Sequence, residues 1–240
     1  MKSRDKMIFV INRLLGCFFD MLYHQLAAAY DLVAWLVSFG RWYRWVEKVI
    51  PLISGRDVLE IGIGTGYLQS RLMAGQFRPV GLDESQQMCR ISNRRIRKIG
   101  TEACRIVRGD MKQLPFSNNT MDSVVLTFPT EVVFFEQTLN EINRVLRTGG
   151  RVVILLGVQW VGGSIPSKFY QMLYQITGQS FDCSGHSLDV LNDQFSLFDT
   201  HEMIKIHDHD AVLWILVAQK LTGQQRGNEV KFNTWKFRQQ

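Results

Sequence analysis

Cysteine and proline are scarce in this chain, four of one and five of the other in 240 residues. Cys17, Cys89, Cys104 and Cys183 stand apart, with no C-x-x-C pair and no recurrent histidine spacing. Neither a disulfide framework nor a zinc site is indicated, and the thiols read as buried and reduced. Long apolar runs are also missing. The best stretch, from Ile8 to Leu26, is broken by Arg13, Asp20, His24 and Gln25, whereas a membrane span wants about 20 predominantly apolar residues. Asn12 and Arg13 likewise spoil a secretory signal, and the apolar run before Leu14-Leu-Gly-Cys17 is too short for a lipidation site. The expectation is a cytoplasmic protein. Internal repeats and low-complexity linkers are absent too. What remains, 46% apolar and 21% charged residues, is normal for a globular protein long enough to bury one sizeable core.

Against that background Glu60-Ile-Gly-Ile-Gly-Thr-Gly66, directly after Arg56-Asp-Val-Leu59, is the most informative segment. Three glycines at every second position serve backbone geometry, permitting positive φ and close approach of a ligand. Val58 and Leu59 begin a short apolar run, and a helix starts near Tyr67-Leu68, where exposed N-H groups can face a ligand. A dinucleotide fingerprint needs its third glycine three residues after the second. That position is Tyr67, so the register is wrong for the usual NAD turn.

Carboxylates and strands follow in a regular rhythm. Arg78-Pro-Val-Gly-Leu-Asp83 reads as a second strand ending in an acid, at the separation where an acidic residue takes a ribose in doubly wound folds. A helix rich in Arg and Lys runs from Ser85 to Ile99. Cys104 to Asp110 is a third strand, Ser123 to Phe128 a fourth, and Arg151 to Leu156 a fifth. A turn at Ser117-Asn-Asn-Thr120, a helix from Phe135 to Leu146 and a Gly149-Gly150 turn separate the later ones. Strands alternating with helices imply a parallel sheet covered on both faces. After the fifth strand, Ile165 to Thr177 reads as a helix and Gly178 to Asp193 as a loop region bordering a pocket.

Val58-Leu-Glu-Ile-Gly-Ile-Gly-Thr-Gly66, Val80-Gly-Leu-Asp83, Gly109-Asp-Met-Lys-Gln-Leu-Pro-Phe116, Met121-Asp-Ser-Val-Val-Leu126 and Val145-Leu-Arg-Thr-Gly-Gly-Arg151 occur in that order. Together they resemble the class I S-adenosylmethionine-dependent methyltransferases, specifically their small-molecule group, over roughly residues 28 to 221. The resemblance implies a Rossmann-like, doubly wound, mostly parallel seven-stranded sheet with an antiparallel last strand. Met203 to His209 and Ala211 to Lys220 would form the antiparallel pair that closes it. Residues 1–50 would be amino-terminal helices capping the site, 51–221 the methyltransferase domain and 222–240 a tail. The resemblance further implies S-adenosylmethionine as cofactor. Gly62, Gly64 and Gly66 would hold its methionine end and Asp83 its ribose hydroxyls, with Asp110 and Met111 flanking the adenine and Thr127 at the end of the fourth strand. Glu60 would anchor the loop or the methionine amino group. Tyr30-Asp-Leu32 followed by Ser38-Phe-Gly-Arg-Trp42 is similar to the segment preceding the glycine loop in ubiquinone and menaquinone C-methyltransferases, where such a tyrosine lies against the cofactor.

These roles are chemically sensible. An ionised Asp83 can accept two hydroxyl hydrogen bonds, each strengthened by its charge. An aromatic beside a sulfonium gains about 0.5 to 2 kcal/mol. The fourth strand ends Thr127-Phe-Pro-Thr130, without the Asn/Asp-Pro-Pro-aromatic signature of the related nucleobase amino-methylating enzymes, and no cysteine follows a proline as cytosine-C5 chemistry would require. A small apolar or aromatic acceptor, methylated at carbon or oxygen by in-line transfer, fits best. Positioning alone can supply up to about 7 to 11 kcal/mol, and a base is needed only where the acceptor must lose a proton. His24, Tyr30, Glu131 and His186 are the candidates. Two other readings stay open: a non-catalytic cofactor- or partner-binding protein of the same fold, and an RNA methyltransferase.

Charge and periodicity bear on partners. The net charge is +6, and Arg90, Arg94, Arg95, Arg97 and Lys98 form the densest basic run. On a covering helix that run reads as a solvated face, which argues against nucleic acid. Ile8, Ile11, Leu15, Phe18, Leu22 and Leu26 recur at helical spacing. Such helices would cap the carboxyl edge of the sheet and shape an apolar pocket, or lie on a membrane surface with Lys2, Arg4, Lys6 and Arg13 attracting anionic lipid. His207-Asp-His209-Asp210 reads as a polar hairpin tip rather than a metal site, and the sequence is silent on oligomeric state.

Overall fold

A computed structural model describes residues 30–99, 105–161, 194–198, 200–220 and 236–239. The helices read from residues 8–26 and 165–177, the loop at 178–193, His24 and His186 lie outside those residues. The strands are β1 (Asp57–Ile61), β2 (Arg78–Asp83), β3 (Arg105–Arg108), β4 (Met121–Thr127), β5 (Leu146–Trp160), β6 (Thr200–Asp208), β7 (Ala211–Gln219) and β8 (Lys236–Gln239). The helices are α1 (Tyr30–Val37), α2 (Trp42–Glu47), α3 (Tyr67–Ala74), α4 (Gln86–Arg97) and α5 (Glu136–Val145).

One sheet, ordered β3-β2-β1-β4-β5-β7-β6-β8, organises the chain. Parallel pairing joins β3, β2, β1, β4 and β5, while β7 runs against both β5 and β6. These are the expected seven strands with their one reversed member. The eighth, β8, pairs in parallel with β6 and comes from the segment read as a tail.

The central strands are apolar on both faces because both faces are covered. Leu59, Val124, Leu126, Val152 and Ile154 pack with Leu139, Ile142 and Val145 of α5 and with Phe195 and Phe198. The alternate residues Val58, Val125, Val153 and Leu155 pack with Trp45 and Val46 of α2 and with Leu68 and Leu72 of α3. This strict alternation follows from the two-residue side-chain period of a strand. Ser85 caps α4, its side chain accepting from the Met88 N-H.

Two departures have physical reasons. β5 begins at Leu146 and reaches Trp160, well beyond the Arg151–Leu156 core. The Gly149-Gly150 turn is taken in as an irregularity between the Met121 and Ser123 pairings, and β7 keeps β5 paired as far as Trp160. The β6–β7 hairpin tip is a turn, but its acids do not simply point to water. Asp208, 9% exposed, accepts from Trp45 Nε1 at 2.7 Å and from Arg44 at 2.8 Å, while Asp210 takes Arg41 at 2.5 Å. The tip therefore holds α2 against the carboxyl end of the sheet. Among the described residues no group of three or more His, Cys, Asp or Glu is arranged to hold a metal ion, and no described helix is long and apolar enough to cross a membrane.

Burial pushes the Asp208 carboxyl up, but the bonds from Trp45 and Arg44 outweigh it and hold the group below 3.8. A carboxyl with a lowered folded-state value contributes stability above its unfolded value, and that contribution is lost as pH falls through the folded one. Asp208→Ala is expected to cost about 1 to 3 kcal/mol at pH 7, because a buried indole N-H loses its acceptor. Urea unfolding should show that difference shrinking as the pH drops below the ordinary carboxylate range.

Candidate active site

The strand order reverses direction between β1 and β4, and ligands of open α/β folds bind outside the carboxyl ends of the strands at such a point. The residues that follow β1 and β4 and the end of β2 meet there. Gly62, Gly64 and Gly66 all have positive φ, at 74°, 51° and 77°. At Gly64 a side-chain carbon would meet nothing within 4 Å, so the loop faces open space there, where a ligand can approach the backbone. At Gly66 the same carbon would lie 2.1 Å from Ser92 Oγ and 3.0 Å from the Ser92 Cα. The third glycine thus serves the close packing of the loop on α4.

Asp83 forms the floor. It is 1% exposed, and its two oxygens accept from Gly64 N at 3.0 Å and Ser85 N at 2.9 Å. These two bonds fix the carboxylate between the glycine loop and the start of α4. Glu60, 2% exposed, turns into the protein and accepts from Gln69 Nε2 at 2.8 Å, tying β1 to α3. Burial drives its carboxyl up to about 8, against the opposing bond from Gln69 and with the charge of Asp83 adding to the rise.

The other expected residues lie around this floor. Asp110 is exposed just past β3, and its Oδ1 accepts from Lys112 N at 2.8 Å, which braces the turn. Met111 is half-buried against the main core. Thr127 ends β4, paired with Leu155. Tyr30 opens α1 and is placed by its backbone alone. Glu131 starts a short 3-10 turn and is exposed.

Sequence reasoning did not anticipate several of the groups at this end of the sheet. Phe128, directly after β4, has φ of 51°, an uncommon conformation for a bulky residue, and its ring stacks on Trp42 at 4.2 Å. Strained backbone of this kind gathers at binding sites. Thr65 donates to Asp31 at 2.6 Å and accepts from Arg95 at 3.0 Å. Arg95 therefore does not belong to the solvated face in which its run was read. Asp31 stood inside the Tyr30-Asp-Leu32 segment, and that short match was the available signal. Tyr67 packs on Tyr43 with ring centres 4.1 Å apart and planes tilted by 33°, and donates to Glu47, joining α3 to α2.

Comparison with known proteins agrees with this geometry. Residues 18–181 match the model of the ubiE/COQ5 methyltransferase family. The ubiquinone/menaquinone biosynthesis C-methyltransferase UbiE of Blochmanniella floridana is 32% identical over 164 residues, 65% of this chain and 62% of that protein. A demethylmenaquinone methyltransferase of Thermus thermophilus is 32% identical over 142 residues, 56% of this chain and 63% of that protein. The match thus spans less than two thirds of these relatives' length. Among solved structures, geranyl diphosphate C-methyltransferase from Streptomyces coelicolor, in complex with S-adenosyl-L-homocysteine, superposes with a TM-score of 0.53 at 17% identity, covering 74% of this chain and 79% of that one. At that identity the likeness concerns the fold.

Two outcomes follow from the packing. Gly64→Ala is expected to cost about 1 to 2 kcal/mol, the penalty of a left-handed backbone alone. Gly66→Ala should cost distinctly more, because the contact with Ser92 is added, and thermal unfolding of the two variants would rank them. Glu60 has a folded-state value above its unfolded one, so its contribution to stability is full below about 4.5 and is lost as pH rises towards 8. The unfolding free energy of the parent should therefore fall by about 2 to 4 kcal/mol more over that window than that of Glu60→Gln.

Proposed function

The chain belongs to the ubiE/COQ5 methyltransferase family, whose cofactor is S-adenosylmethionine, and on that premise we propose that it methylates a carbon of an electron-rich, apolar aromatic acceptor of quinol type. The observation that carries this reading is the conjunction of that family match with an open positive-φ loop whose central N-H is bonded to a buried acid on the neighbouring strand.

Gly62, Gly64 and Gly66, having no side chains, would let the methionine end of the cofactor approach the loop's backbone closely, Asp83 would accept from its ribose, and Asp110 with Met111 would border its adenine. Glu60 would hold the loop's strand in place, with Thr127 and Tyr30 at the margins. Bound there, S-adenosylmethionine supplies an activated sulfonium methyl. The chain's own residues then have to orient the acceptor and keep water out. Trp42 and Phe128 offer π faces at the end of β4, where a planar ring can stack and a neighbouring cation gains about 0.5 to 2 kcal/mol. Leu32, Trp35, Leu36 and Phe39 of α1 and its turn are 45 to 59% exposed, apolar surface suited to the hydrocarbon part of such an acceptor. Glu131, near the same strand end, is the described candidate for taking a proton. Peripheral contact with a membrane would suit an apolar acceptor and the basic residues near the amino terminus.

Calorimetry with S-adenosylhomocysteine tests the site. The parent should bind, and Asp83→Ala should bind about 10- to 150-fold more weakly, the worth of a charge-assisted hydrogen bond. Equal binding would remove Asp83 from the site. Incubation with isotopically labelled S-adenosylmethionine and a reduced naphthoquinol lacking one ring methyl should place the label on a ring carbon by mass spectrometry. Label on oxygen would overturn carbon transfer.

A further inference from the structure

Thr65, between Gly64 and Gly66, is 6% exposed and is bound by two helices distant from it in sequence. Its hydroxyl donates to Asp31 Oδ1 of α1 at 2.6 Å and accepts from Arg95 of α4 at 3.0 Å. Arg95 also donates to Asp31 Oδ2 at 2.5 Å, so each of the three groups is bonded to the other two. We propose that Asp31, Thr65 and Arg95 are positioning residues that set the glycine loop for the cofactor and make the seating of α1 part of cofactor binding. The proposal rests on the cofactor reading given above.

Backbone N-H bonds from Gly62 to Leu82 and from Gly64 to Asp83 hold the loop to β2, and side chains add little else. Of its five residues, Gly62, Gly64 and Gly66 carry no side chain. Ile63, 4% exposed, is the one apolar anchor, fixing the loop towards the sheet beside Gly81. Thr65 fixes it on the opposite side. A hydroxyl has one hydrogen to give. Donation to Asp31 uses it, the bond from Arg95 orients the oxygen, and the Thr65 rotamer is set from both sides. The Asp31 and Arg95 side chains are 26% and 29% exposed, which partly shields their ion pair from water. The Tyr43 hydroxyl of α2 is held above its ordinary 10.0 first by burial and then by the charge of Asp31.

Moving α1 away from the body would break two of the three bonds and leave the Thr65 hydroxyl held by Arg95 alone. α1 also carries the exposed Leu32, Trp35 and Leu36, so the apolar face offered to the acceptor and the loop offered to the cofactor share one fastening. Linkage is reciprocal: a ligand that favours the fastened loop favours seated α1 to the same degree.

Hydrogen exchange and calorimetry with S-adenosylhomocysteine test this. In the parent, ligand should slow exchange at the amides of residues 31–40 as well as at 62–66. Thr65→Val, close to isosteric but without the hydroxyl, should bind about 5- to 30-fold more weakly. It should lose the slowing at 31–40 while keeping it at 62–66. Thr65→Ser should stay within about twofold of the parent, and Asp31→Asn should behave like Thr65→Val. A parent that binds with unresponsive amides at 31–40, or a Thr65→Val variant that matches it in affinity, overturns the clasp alone. A well-folded parent that fails to bind overturns the cofactor reading, and the clasp with it.

Discussion

Two carboxyl groups lie buried at the carboxyl ends of adjacent strands, Glu60 on β1 and Asp83 on β2, and the local architecture is arranged to tolerate them. Burying an acid is costly unless it is neutralised or hydrogen-bonded. The two solve the problem differently. Burial pushes the Glu60 carboxyl up to about 8, and it accepts from Gln69, which fastens α3 to the strand before it. Asp83 is bonded by backbone N-H groups on either side, from the glycine loop and from the start of α4. The shape of the loop is thus a consequence of where the acids sit. Its left-handed residues bring the Gly64 N-H onto Asp83, and Gly66 lets the chain pass Ser92 on its way into α3.

The amino-terminal helices are fastened to this platform by polar contacts at points far apart in sequence. α2 lies between the β6–β7 tip, which takes Arg41, Arg44 and Trp45, and the aromatic residues Phe128 and Tyr67. α1 is tied through Asp31. Its exposed Leu32, Trp35 and Leu36 share a helix with Asp31, which is bonded to the glycine loop. An apolar surface and a polar one therefore meet at the same end of the sheet, an arrangement that suits the proposed transfer from a charged donor to an apolar ring.

Much of this was legible in the sequence because its causes are local. β2 was read at its observed bounds, since Pro79 to Leu82 is a short apolar run closed by an acid. The alternation of strands with amphipathic helices gave the parallel core, and the glycine spacing excluded the dinucleotide turn. What escaped depends on partners distant along the chain. Arg95 looks like its neighbours Arg94 and Arg97, and only folding brings Asp31, 64 residues away, to it. Asp208 and Asp210 have the look of a solvated turn until α2 arrives. The length of β5 is set by β7, which no pattern within residues 146 to 160 announces. Phe128 is held in its left-handed conformation beside Trp42, a contact that spacing does not encode.

The sheet's two margins are finished in different ways. β3 is only four residues long and has arginine at both ends, Arg105 and Arg108. A short, charged edge is a poor template for another chain. β6 has neither safeguard in the same measure: it is nine residues long, with Met203, Ile204 and Ile206 buried along it, and it adjoins the most continuously apolar strand, β7. Its outer side is covered instead by β8, which pairs from Glu202 to Lys205. The carboxyl-terminal segment therefore acts as a selvedge for the sheet. It occupies backbone groups of β6 that would otherwise be open to strands of other molecules.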